Sequence, residues 1–196
     1  MEKRKLHIGV LAVQGAFIEH ERVLESLGAE AFEIRQLRDL DRPMDGLVLP
    51  GGESTVQGKL LRDLGLFEPL QKKIREGLPV LATCAGLILL AEKLSNDKST
   101  YFATLPVTVE RNAYGRQLGS FFVQHDLKHV GNIPMTFIRA PIINQVNDGV
   151  EVLAHVDSPS IGDKIVAVQY KKQLALAFHP ELDLDRKVHQ YFLGMI

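Results

Sequence analysis

Leu78-Pro79-Val80-Leu81-Ala82-Thr83-Cys84-Ala85-Gly86-Leu87-Ile88-Leu89-Leu90 is a pair of apolar runs joined at a thiol. The first run has the length of a buried strand and the second reads as a buried helix. The Ala-Gly pair after the cysteine permits a sharp turn between them. Strand, tight turn and helix in that order put Cys84 at the corner of a nucleophile elbow. There a thiol lies beside the unpaired N–H groups that open a helix, which favour thiolate and can hold a developing oxyanion. A lone cysteine in an arbitrary chain is more often a small buried hydrophobe, so the rest of the sequence must decide.

Working outward, the first half alternates strand and helix. Residues 6–13 predict a strand, and residues 17–27 an amphipathic helix with Phe17, Val23, Leu24 and Leu27 on its apolar side, closed by Gly28. Residues 31–35 and 46–49 predict two more strands. The second of these ends at Pro50-Gly51-Gly52 and enters a helix through Ser54-Thr55-Val56-Gln57, which has capping-box spacing. Residues 67–75 predict another helix before the elbow strand. Such β-α-β-α order predicts a parallel sheet with helices on both faces and ligands at the carboxyl ends of its strands. Strands dominate the second half, at residues 105–110, 118–127, 136–140, 150–156, 164–170 and 173–178, and a helix over 184–193 follows.

Composition narrows the function classes. With 196 residues, 45% of them hydrophobic, 24% charged and a formal net charge of -1, the chain is expected to be a soluble domain without a nucleic-acid-binding face or a polybasic membrane patch. One unpaired cysteine points to a reducing compartment. Lys3-Arg4-Lys5 before an apolar stretch has the outline of a signal peptide, but His7 and Gly9 interrupt that stretch and a helical pattern follows it. No segment approaches the roughly 20 apolar residues of a membrane helix, so a cytoplasmic location without membrane association is expected.

A thiol nucleophile needs a base. Among seven histidines, His179 follows the apolar run 174–178 and precedes Pro180, which places it at a strand end, and Glu181 lies two residues on. Alternate side chains of an extended segment share a face, so Glu181 can orient the imidazole and stabilise its protonated form. His20 falls in the amphipathic helix, and His7, His125, His129, His155 and His189 lack the pairing of strand end and nearby acid. A structural His179 is the ordinary alternative for so short a motif. Pro50-Gly51-Gly52-Glu53-Ser54 supplies a turn whose N–H groups can face a ligand; its plain reading is a strand-to-helix connection. Dispersed histidines and a single cysteine give no metal spacing, and no phosphate-binding glycine loop is present.

Taken together, Pro50-Gly51-Gly52-Glu53-Ser54, Thr83-Cys84-Ala85-Gly86 and Phe178-His179-Pro180-Glu181 resemble the class I (triad) glutamine amidotransferases. Val13-Gln14-Gly15-Ala16 with Glu19-His20, residues 109–117, and Phe137-Ile138-Arg139-Ala140-Pro141 are similar to the glutaminase subunits of pyridoxal 5'-phosphate synthase. The resemblance implies an α/β, flavodoxin-like three-layer sandwich with a mostly parallel central sheet, forming a single glutaminase domain over residues 1–196. It implies hydrolysis of L-glutamine to glutamate and ammonia, with Cys84 as nucleophile, His179 as proton carrier and Glu181 holding His179. Backbone N–H groups of Gly52 and Ala85 would form the oxyanion hole. Gly51, Gly52, Glu53, Arg111, Ile138 and Arg139 would bind glutamine, the two arginines as partners of its α-carboxylate.

The partner implied is a barrel-shaped synthase subunit, present in equal number in a large complex, which receives the ammonia. Gln14-Gly15 is expected at that contact. No cofactor and no metal are expected here, pyridoxal phosphate being the product of the partner. Ala82, where the family often has glycine, and residues 96–101 depart from the family pattern. Two other readings remain open: a cysteine peptidase or chaperone-like hydrolase of similar fold, which leaves both arginines unexplained, and a non-catalytic docking subunit, which leaves the intact Cys84, His179 and Glu181 unexplained.

Overall fold

The computed structural model describes residues 4–113, 119–158 and 162–196. Its elements are β1 (His7–Leu11), α1 (Phe17–Ser26), β2 (Glu30–Ile34), a 3-10 turn (Leu37–Asp41), β3 (Gly46–Leu49), α2 (Ser54–Asp63), α3 (Phe67–Arg75), β4 (Val80–Thr83) and α4 (Ala85–Leu90). There follow β5 (Ala91–Leu94), β6 (Leu105–Glu110), β7 (Ser120–Leu127), β8 (Gly131–Ile138), β9 (Ile142–Val146), β10 (Glu151–Ser158), β11 (Gly162–Tyr170) and β12 (Gln173–Leu176). A second 3-10 turn (Pro180–Leu182) leads to α5 (Lys187–Gly194).

Ten strands form one sheet in the order β2-β1-β3-β4-β12-β11-β9-β6-β5, with β10 also paired to β11. The stretch from β2 to β12 is parallel throughout, and antiparallel pairs begin at β11. Every residue of β3, β4 and β12 is buried, as expected of parallel strands covered on both faces and written as continuous apolar runs. The flavodoxin-like α/β expectation is borne out. Strand order reverses at β1, whose neighbours are β2 on one side and β3 on the other, so the crevice of this fold lies at the carboxyl ends of its central strands.

Register decides what meets there. Leu49 at the end of β3 pairs with Ala82, and Thr83 at the end of β4 pairs with Leu176, the last residue of β12. Three neighbouring strands therefore end side by side, and the residues that follow them, Gly51, Cys84 and His179, emerge on the same edge. A ladder-like bond from Cys84 N to the Leu176 carbonyl, 2.8 Å, carries the pairing one residue past β4. Gly86 completes the elbow: a Cβ there would collide with the Leu49 carbonyl, so α4 packs against the end of β3 at backbone distance.

The hairpin β7–β8 forms a separate two-stranded sheet over this edge. Phe121 stacks on Phe137 (centroids 4.4 Å apart), and Phe137 meets the fully buried Phe178 edge-on at 5.7 Å. Each such pair adds about 0.5–1.5 kcal/mol beyond its burial. With the 2.8 Å bond from His179 N to the Thr136 carbonyl, these contacts fix the end of the hairpin beside the elbow.

Several sequence boundaries change. The first strand stops at Leu11, because the chain must turn through residues 12–16 to bring Gln14 to the loop after β3. The strand expected over 136–140 begins at Gly131: Ile133, Met135 and Phe137 alternate inward, and Pro134 is accommodated because this ribbon has only two strands. β5 follows the elbow helix directly and has adjacent exposed Glu92 and Lys93 in place of an alternating pattern, and β9 lies in a segment with no clear alternation. The last helix starts at Lys187 rather than 184, where Leu184 is fully exposed. The expected strand start at Leu118 and residues 114–117 lie outside the described residues.

Candidate active site

Cys84 takes φ 49° and ψ -101° between β4 and α4. A non-glycine residue at positive φ is strained and persists only where its surroundings enforce it. Here the enforcement is the bond to Leu176 on one side and the close packing of Gly86 on Leu49 on the other. Cys84 is 7% exposed, and its thiol donates to the Ile138 carbonyl at 3.9 Å.

His179 Nδ1 lies 2.7 Å from Glu181 Oε1, and both side chains are buried. Burial disfavours an imidazolium, but the facing Cys84 side chain and the bonded Glu181 outweigh it, and His179 is pushed up to about 10. His179 Nε2 forms no hydrogen bond, so its N–H is not yet engaged with the sulfur it faces. Nucleophile and base are often this loosely engaged before a substrate is bound. Burial pushes the Glu181 carboxyl up, yet His20 and His179 together hold it below its ordinary value.

The loop after β3 is pinned from three sides. Thr83 Oγ1 accepts from Gly51 N (3.1 Å), the Gly51 carbonyl accepts from Ala16 N (3.0 Å), and Gln14 Oε1 accepts from Glu53 N (2.8 Å). A side chain on Gly51 would collide with the His179 ring, and one on Gly52 with the Gln14 amide. The capping box expected at Ser54 is absent. Glu53 is the N-cap residue of α2 without a side-chain cap bond, and Gln57 Nε2 instead donates to the carbonyls of Gln14 (3.0 Å) and Pro50 (3.2 Å). Gln57 is recruited because the loop leaves those carbonyls buried beside it. Ala85 opens α4 directly after the thiol, where helix N–H groups have no partner within the helix.

A cleft of about 850 Å³ is lined by Gln14, Gly52, Glu53, Cys84, Arg111, Ile138, Arg139 and His179, among others. Arg111 enters from the end of β6 and bridges Glu53 (3.1 Å) and Asp97 (2.8 Å). Asn96 holds its backbone, donating to the Arg111 carbonyl (2.9 Å) and accepting from Arg111 N (3.1 Å). The departing segment 96–101 therefore braces a site residue. Ile138 and Arg139 come from the hairpin; Arg139 has φ 43° and its N–H donates to the Gly119 carbonyl at 2.8 Å. A smaller hollow of about 240 Å³ lies near Leu78, Ala103 and Tyr170 and has no cysteine, histidine or carboxylate in its lining. Among the described residues no cluster of His, Cys, Asp and Glu could hold a metal ion.

Of the expected site residues, Gly52, Glu53, Cys84, Arg111, Ile138, Arg139 and His179 line the one cleft, whereas Gly51, Ala85 and Glu181 are buried and do not line it. Sequence reasoning missed Thr83, Gln57, Asp97 and the fully buried His20 and His189. A signal for His20 existed, since it falls on the apolar stripe of α1 formed by Phe17, Leu24 and Leu27.

Residues 10–196 match the model of the SNO glutamine amidotransferase family. A pyridoxal 5'-phosphate synthase subunit PdxT from Desulfitobacterium hafniense (strain Y51) is 62% identical over 191 residues, covering 97% of this chain and 94% of that protein. The protein of the same name from Streptococcus pneumoniae (strain ATCC 700669 / Spain 23F-1) is 52% identical over 193 residues, 97% of each chain. A crystal structure of a glutamine amidotransferase superposes with TM-score 0.86 at 40% identity, over 96% of this chain and 97% of the other. With its fold, its cleft and its sequence in agreement, the chain belongs to the SNO glutamine amidotransferase family.

Proposed function

We propose that this chain is the glutaminase subunit of a pyridoxal 5'-phosphate synthase, hydrolysing L-glutamine to L-glutamate and ammonia. The observation that carries the reading is the convergence of Cys84, His179 and Glu181 at the ends of two adjacent strands, with Nδ1 of His179 2.7 Å from Glu181. PdxT relatives at 52–62% identity support the synthase assignment.

Having passed its proton to His179, the Cys84 sulfur attacks the side-chain amide carbon as a thiolate, and the carbonyl oxygen becomes an oxyanion held by the N–H groups of Gly52 and Ala85. His179, carrying a proton at neutral pH, gives it to the departing nitrogen, and ammonia leaves with the C–N bond broken and a glutamyl thioester formed. Water then attacks the thioester, His179 takes its proton, and glutamate leaves as the sulfur is regenerated. Glu181 keeps the imidazole in register and stabilises its charged form. At the other end of the substrate, the α-carboxylate meets Arg111 and Arg139 and the α-ammonium meets Glu53, inserting at the existing Arg111–Glu53 ion pair. Gly51, Gly52 and Ile138 supply backbone walls.

Ammonia passes to a separate barrel-shaped synthase subunit present in equal number, with Gln14-Gly15 at the contact, in the cytoplasm. No helix of the described residues is long and apolar enough to cross a membrane, which agrees with that setting. The deciding experiment is a glutamate-release assay with and without the cognate barrel subunit. Release is expected to rise with the barrel subunit and to fall by more than about 1,000-fold in Cys84→Ser. No turnover beside an active synthase, or undiminished turnover in Cys84→Ser, would overturn the reading.

A further inference from the structure

Glu181 has a second oxygen, and the catalytic scheme does not use it. Oε2 is buried without a strict hydrogen bond, and His20 Nε2 lies 3.4 Å away. The same His20 nitrogen is 3.2 Å from Thr83 Oγ1, the oxygen that accepts from Gly51 N. On its far side His20 Nδ1 is 2.9 Å from His189 Nε2. Both histidines are 0% exposed and come from elements distant in sequence, α1 and α5.

The tautomers follow from this geometry. One proton must lie between His20 Nδ1 and His189 Nε2. If His20 supplied it, the lone pair of His20 Nε2 would face the Glu181 carboxylate, and the buried Nδ1 of His189 would carry an N–H with nothing to receive it. If His189 supplies it, His20 keeps its proton on Nε2, where it points between Glu181 Oε2 and Thr83 Oγ1. Only the second arrangement avoids both penalties. Burial lowers the pKa of both rings, that of His189 to about 3, so each is neutral with one N–H to place.

We infer that His20 is a positioning residue: its Nε2–H, oriented by His189, holds the outer oxygen of Glu181 and the Thr83 hydroxyl together. Glu181 Oε1 thereby stays on His179, and the Gly51 turn stays in step with the elbow. One buried ring links the two halves of the site, the proton-carrying pair and the oxyanion loop. The inference rests on the functional reading above and assigns His20 no contact with substrate.

The test compares His20→Leu with His20→Gln in the full complex with the barrel subunit. Leucine fills the space without an N–H, whereas the glutamine amide restores a donor near the Nε2 position. Misplacing reacting groups by about 1 Å can cost about 100-fold, so His20→Leu is expected to lower kcat about 10- to 100-fold with KM within about twofold of wild type. His20→Gln is expected to recover most of that loss, even where its thermal stability is no higher than that of the leucine variant. A wild-type kcat in His20→Leu, or equal losses in both variants, would overturn the inference while leaving the glutaminase reading intact. No hydrolysis by the wild-type complex would overturn both. Should His20→Leu fail to fold, His189→Leu against His189→Gln makes the same comparison one ring further out: a kcat loss confined to the leucine variant supports the inference, and equal losses overturn it.

Discussion

At the scale of single residues the site is governed by how closely backbone and side chains approach. Gly51 has no room for a methyl group: it would strike the His179 ring and lie 3.4 Å from Cys84 Cβ. Gly51→Ala is therefore expected to tilt the imidazole away from both the thiol and Glu181. We predict a kcat loss on the order of 100-fold, with a stability cost of about 1–3 kcal/mol from overpacking. Glutamate release and thermal melting check the two effects separately, and a wild-type rate in this variant would show that the ring has freedom the structure denies it. Cys84 and His179 were legible in the sequence because each sits in a local pattern, an elbow and the end of a strand; Glu181 was found by its closeness to His179, but it reaches the imidazole from the 3-10 turn Pro180–Leu182 and not from the extended segment expected. His20 was not, because its role depends on α1 crossing the carboxyl end of the sheet. A histidine on an apolar helical stripe signals burial but does not name its partner.

At the scale of elements, the parallel half of the fold was readable because its strands are continuous apolar runs separated by helices with clear period. The antiparallel half was less so. β8 contains Pro134, which normally demotes a strand, and its edge position in a two-stranded ribbon is a tertiary fact. β5 follows α4 without a break, and its four residues, with Glu92 and Lys93 exposed side by side, show no strand alternation that would mark a change of period at Ala91. The Ser54 box failed for a related reason: Gln57 has two buried carbonyls to satisfy, and these outcompete the helix terminus for its amide. Segment 96–101 shows that a departure from a family pattern can still serve the site, since Asn96 and Asp97 anchor Arg111 from both backbone and side chain.

At the scale of the whole molecule, buried neutral histidines tie the active site to acid stability. The unfolded chain protonates His20 and His189 near 6.5, whereas burial keeps both uncharged in the fold, His189 down to about 3. As pH falls below 6.5 the unfolded state therefore binds protons the folded state refuses, and stability drops. His179 adds no slope in this window, because its raised value leaves it protonated in both states; its contribution is lost instead as pH rises from 6.5 through about 10. Glu181, held low, loses its contribution only at deeper acid. His189→Leu is expected to flatten the acid limb by up to one proton, about 1.4 kcal/mol per pH unit, in urea denaturation between about pH 6 and pH 4. Parallel slopes for variant and wild type would mean that His189 is not held neutral.

The central claim, that Cys84 is the nucleophile toward the amide of glutamine, is open to direct chemical capture. A glutamine analogue carrying an electrophilic carbon in place of the amide, incubated with the chain and the proposed synthase partner, is predicted to add its mass to the Cys84 peptide alone, with excess L-glutamine protecting that peptide. An unlabelled Cys84 in a mixture that still hydrolyses glutamine would contradict the account.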